Sequence, residues 1–128
     1  MDTRTGMIMK LEELAENLEM EEDEFVEMTD LFVKACLSEL MKLQAALEKR
    51  EALRVAKYAH SIKGAAVNLG FMEIFDAAKK MEMEACDDRL NEANEMVQKI
   101  RGEVDRIAEA LGNFGLFTDS DISGPVKI

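Results

Sequence analysis

The sequence predicts an all-α protein, an antiparallel up-down four-helix bundle with a short additional N-terminal helix. Three observations carry this. Helix breakers are scarce: the 128 residues hold seven glycines and one proline, Pro125, near the end. The chain is rich in Ala, Leu, Met, Glu and Lys, all strong helix formers. Apolar residues recur at spacings of three and four through successive segments, with short connections that favour antiparallel neighbours. The length suits one domain able to bury a core, expected over residues 1–112, with residues 113–128 as a C-terminal tail, partly mobile.

The first helix is expected from Met7 to Leu18, on Ile8, Leu11, Leu14, Ala15 and Leu18. The acidic run Glu21–Glu24 then opens a second helix, because carboxylates in a first turn complement the helix dipole. That helix runs to about Arg50 with Phe25, Met28, Phe32, Cys36, Leu40, Leu43 and Leu47 as its buried stripe. The third spans about Glu51 to Leu69, with Ala52, Val55, Ala59, Ile62, Ala66 and Leu69 as a seam, and Gly70 closes it as a left-handed cap. The fourth carries Phe71, Ile74, Phe75, Ala78, Met81 and Ala85, and Asp87-Asp88-Arg89 marks the turn after it. The fifth carries Ala93, Met96, Val97, Ile100, Val104, Ile107 and Leu111, with Gly102 weakening it slightly. Beyond it Gly112-Asn113, Thr118–Asp121 and Ser123–Pro125 are loop residues, and Phe114, Leu116 and Phe117 are expected to anchor the start of the tail. The ten methionines read mainly as core filler.

The formal net charge of −11 argues against nucleic acid and anionic membrane as partners, since both would repel the chain. Cys36 and Cys86 are far apart and fit no CxxC spacing, so both are expected as buried free thiols in a reducing compartment. No secretory signal and no apolar run of membrane-spanning length is seen, so a cytoplasmic location is expected. There is no GxxxxGK[ST] and no Gly-rich kinase loop.

His60 is the only histidine, and Lys63 and Gly64 follow it three and four positions on, on the same helix face. A glycine inside a helix costs about 0.5–1 kcal/mol relative to alanine, so its presence asks for compensation. His60 lies beside the buried seam, and Leu53, Ala56, Lys57 and Val67 share its flank. A flank that is apolar without being the seam is a second buried face or a docking surface. Singly, these residues read as an ordinary half-buried histidine, a surface lysine and a close-packing glycine. Together they read as a phosphoryl acceptor. Neutral imidazole is a nucleophile near pH 7. Lys63 supplies a cation for the roughly two negative charges that would arrive. Gly64 removes a side chain that would crowd the phosphoryl group or its donor.

The stretch Ala59-His60-Ser61-Ile62-Lys63-Gly64-Ala65-Ala66-Val67-Asn68-Leu69-Gly70 resembles the signature of histidine-containing phosphotransfer (HPt) domains, A-H-x-[LI]-K-G-[SA]-[SA]-x-x-L-G. Many members have Ser where this chain has Ala65. The resemblance extends over about Leu11 to Leu111 and leaves out the tail. It implies an antiparallel four-helix bundle whose histidine exchanges phosphoryl groups with aspartates of response-regulator receiver domains. Carried over, His60 is the phosphorylated residue, Lys63 its charge partner and Gly64 the clearance position, with Leu53, Ala56, Lys57 and Val67 as docking face. A histidine or hybrid kinase stands upstream. No autokinase or phosphatase activity and no cofactor is expected on this chain, the Mg²⁺ belonging to the receiver.

Two other classes weigh against this reading. One is a helical module that docks a receiver or kinase without accepting phosphate, and retention of His60 with Lys63 and Gly64 separates the two. The other is a metal or haem bundle. Di-iron bundles need paired Glu-x-x-His motifs, whereas this chain has one histidine and carries Lys57 three positions before it. Lys63 beside the ring argues against an axial haem ligand.

Overall fold

The computed structural model describes residues 3–112. The expected tail, residues 113–128, and the anchoring by Phe114, Leu116 and Phe117 lie outside the described residues. Five helices follow one another: α1 (Thr3–Asn17), α2 (Glu22–Glu48), α3 (Ala52–Leu69), α4 (Met72–Cys86) and α5 (Ala93–Leu111). No strand occurs among the described residues. The N-terminal helix begins earlier than its apolar spacing suggests and is as long as α4, 15 residues each.

The chain divides into two compact units. One is Met1–Val33 with the chain from Asp105 on, and the other is Lys34–Val104. In the first, Met7, Leu11, Ala15, Phe25, Val26, Phe32, Ile107 and Leu111 are buried. In the second, the core holds Leu40, Leu43, Val55, Ile62, Ile74, Met81, Val97 and Ile100. The fifth helix buries every residue of its expected stripe.

The second helix departs from its expected stripe in two places. Met28 is exposed and Thr29 is buried instead. The apolar pattern put the larger side chain inside, but burial of Phe25, Val26, Phe32 and Val33 turns position 29 inward. Leu47 is only half-buried. Cys36 is buried as expected, and burial, reinforced by Glu39 and opposed by Arg101, pushes its thiol up to about 12. Cys86 is exposed, contrary to expectation, because it ends α4 on the side away from Ala85; both thiols are free.

Helices α1, α2, α3 and α4 all end in the same closure. One or two residues past the helix end, an N–H reaches back three residues and the next N–H reaches back five, as in Gly70 to Val67 at 3.2 Å and Phe71 to Ala66 at 3.0 Å. This closure requires a left-handed residue. Gly70 takes it at φ 85°, and Glu19, Arg50 and Asp88 take it without being glycine, at φ 56°, 54° and 61°. Only the glycine announces the cap in the sequence.

Candidate functional site

The candidate site belongs to the second unit and to one hairpin. Helices α3 and α4 pack against each other and are joined by Gly70 and Phe71 alone. His60 stands eleven residues before Phe71 and Glu82 eleven after it. In an antiparallel pair of helices, residues equidistant from the turn meet at the same level, and these two do.

The Nδ1 of His60 lies 2.9 Å from Oε2 of Glu82. A carboxylate can only accept, so Nδ1 carries the proton, and in the neutral ring Nε2 has the lone pair. The His60 side chain is 67% exposed, which leaves that lone pair open to a partner. The other oxygen of Glu82, Oε1, sits 2.7 Å from Nζ of Lys63. Partial burial pushes the Glu82 carboxyl up, but Lys63 and then His60 outweigh it and hold it below its ordinary value. Glu82 is therefore a carboxylate at neutral pH, shared between the ring and the ammonium.

Lys63 is half-buried at 25% side-chain exposure, unlike a solvated surface lysine. Gly64 is exposed, and a Cβ built on it meets nothing within 4 Å. Among the described residues this glycine therefore serves no close packing of helices.

Of the four flank residues, three are exposed. Leu53 is 79% exposed and Val67 45%, and Lys57 is exposed beside them. Ala56 is not, and its expected place in a docking face is corrected. It is 8% exposed and lies seven residues before Lys63, on the side of α3 that reaches Glu82 of α4. The helix buries that side as well as its seam, so the accessible strip is narrower than the sequence suggests. Glu82 is the site residue that sequence reasoning missed. No group of His, Cys, Asp and Glu suited to holding a metal ion occurs among the described residues, and no helix there is long and apolar enough to cross a membrane.

The Hpt domain family model matches residues 27–110. The chain belongs to this family. Its fold is also that of a solved structure, the histidine-containing phosphotransfer protein B (HptB) from Pseudomonas aeruginosa PAO1, with a TM-score of 0.71 at 28% identity over 79% of this chain and 88% of that one. No curated protein sequence matches. The helical bundle expected from apolar spacing is thus the Hpt bundle, and the chain is a phosphotransfer domain of the phosphorelay class.

Proposed function

We propose that this Hpt domain accepts a phosphoryl group on Nε2 of His60 and exchanges it with an aspartate of a response-regulator receiver domain. The observation that carries this reading is the exposed ring whose Nδ1–H is held by Glu82. Nε2 attacks the phosphorus of an aspartyl phosphate, the P–O bond to the aspartate breaks, and the carboxylate leaves. The proton stays on Nδ1 throughout, where the Glu82 carboxylate stabilises the positive charge that the ring acquires. The reverse step returns the group to an aspartate.

Lys63 neutralises Glu82 beforehand, so the incoming phosphoryl group does not face a bare carboxylate, and its ammonium is the cation nearest the phosphoryl oxygens. Gly64 gives clearance, and Leu53, Lys57 and Val67 border the docking strip. In phosphoryl transfer the work is mainly positioning and charge neutralisation. The Mg²⁺ that assists is assigned to the receiver and no cofactor to this chain. A histidine or hybrid kinase supplies the phosphoryl group upstream, and this chain has neither autokinase nor phosphatase activity of its own. It works in the cytoplasm, without nucleic-acid or membrane partners.

The test is phosphotransfer from radiolabelled phospho-receiver domains to wild type and His60→Gln. Acid-labile, alkali-stable label on wild type alone is the expected result, with helical content and melting of the variant nearly unchanged. Equal labelling of both proteins overturns the assignment of His60.

A further inference from the structure

The cations of this acidic chain are not spread evenly. Residues 42–63 carry six, Lys42, Lys49, Arg50, Arg54, Lys57 and Lys63, against two carboxylates, Glu48 and Glu51. That segment is formally +4 in a chain of −11, so the remainder carries −15. Helix α3 itself contains three cations and no Asp or Glu.

Lys42 of α2, Lys49 and Glu51 of the turn after it, and Arg54 and Tyr58 of α3 line a shallow groove within the second unit. Lys57 borders it, with its ammonium 5.8 Å from the Tyr58 ring centroid. All four cations are exposed. Arg54 has Glu51 at 3.7 Å, a loose contact between exposed groups. Lys42, Lys49 and Lys57 have no carboxylate at ion-pair distance among the described residues. Unpaired cations gathered in a chain with 27 acidic residues repel one another, and an acidic partner relieves that repulsion.

We propose that this groove is the electrostatic half of the receiver docking surface, where Lys42, Lys49, Arg54 and Lys57 take a carboxylate-rich patch of the receiver domain. The proposal rests on the receiver reading above. A folded partner that brings an aspartate to His60 covers about 800 Å² of this chain, a disc of roughly 16 Å radius. Lys57 and Arg54 lie about 4.5 and 9 Å from His60 along the helix axis, at about 1.5 Å rise per residue, less than that radius. A receiver that binds Mg²⁺ does so through carboxylates, so its transfer face is acidic. Such a face meets repulsion over most of this molecule and attraction here, which orients the encounter. Nucleic acid and anionic membranes are extended polyanions and would meet the −15 remainder as well.

The experiment loads wild type, Lys49→Glu, Arg54→Glu and Lys99→Glu with phosphoramidate, whose P–N bond breaks with release of ammonia. The loaded fraction and the thermal melt are recorded before any receiver is added, and transfer to a panel of purified receiver domains with Mg²⁺ is then timed. Lys99→Glu makes the same charge change at an exposed position on α5. Each groove variant is expected to lose about fivefold in kcat/KM at low salt, chiefly in KM, and the difference from wild type to vanish at high salt. Lys99→Glu is expected to lose less than about twofold, since Lys99 does not line the groove. Equal losses in all three variants, or wild-type transfer indifferent to salt, overturn the groove while leaving the receiver reading intact. A wild type that loads but passes its label to no receiver overturns the receiver reading and the groove with it. Should Arg54→Glu melt early through loss of its Glu51 contact, Lys49→Glu decides alone.

Discussion

Replacing Glu82 by alanine separates two roles that the wild-type carboxylate performs together. It removes the acceptor that keeps the proton on Nδ1 of His60, and it frees Lys63. A hydrogen bond to a charged group contributes about 1.5–3 kcal/mol when sheltered. The His60 ring is 67% exposed, so water replaces much of this, and about 1 kcal/mol remains as the preference for the Nδ1–H tautomer. At about 1.4 kcal/mol per tenfold, Glu82→Ala slows phosphoryl uptake about fivefold. Glu82→Gln keeps an oxygen that accepts from Nδ1–H and loses the charge that steadies the ring, so it keeps the tautomer and its rate falls between wild type and Glu82→Ala. The assay is single-turnover transfer from a phospho-receiver, paired with nitrogen NMR of the ring, which reads the tautomer directly. Wild type and Glu82→Gln are expected to show Nδ1–H and Glu82→Ala a mixture. A Glu82→Ala protein that transfers at the wild-type rate refutes the positioning role. An unchanged tautomer in that protein refutes its cause.

Four further outcomes are expected. Gly64→Ala raises stability by about 0.5–1 kcal/mol, because its Cβ meets nothing within 4 Å and helical glycine carries that cost. Gly64→Gln slows receiver transfer by about tenfold or more without lowering the melting temperature, and equal transfer rates remove its clearance role. Acid should weaken the fold in part through Glu82. Its carboxyl titrates below the ordinary 4.5 when folded, so it contributes stability that is present above that value and is lost as pH falls through the folded one. Urea melts at pH 6 and pH 3 should therefore lose less in Glu82→Gln than in wild type, and identical losses count against the pairing. Glycine at Glu19, Arg50 or Asp88 should raise stability by about 0.5–1 kcal/mol each. A left-handed L-residue costs about 1–2 kcal/mol and the looser unfolded chain returns part of it. A drop in urea midpoint at any of the three shows that its side chain matters more than its backbone.

The five helices and the seam of α3 are legible in apolar spacing, because burial on one side of a helix leaves a period in the sequence. The set of His60, Lys63 and Gly64 is legible for a different reason, since the three are neighbours on one helix. Glu82 is not, because its role comes from a contact between helices, and it looks like any carboxylate on a helix rich in charge. Its equal distance from Phe71 was the available signal, usable only once the turn had been placed. Ala56 misled for a related reason. A helical wheel marks one seam, whereas α3 also buries the side facing α4. Met28 misled because a pattern of large apolar residues carries no information that Thr29, one place on, points inward. The caps at Glu19, Arg50 and Asp88 escaped because their residue types do not favour the conformation they adopt.

The connection of α3 to α4 through Gly70 and Phe71 has a kinetic consequence. His60 and Glu82 are 22 residues apart in sequence, so bringing them together closes only a small loop. The entropy of closure grows with loop length, and contacts of low sequence separation form quickly. The pair therefore needs no distant segment of chain to find it during folding. Its assembly is a local event, set by the capping of one helix and the start of the next.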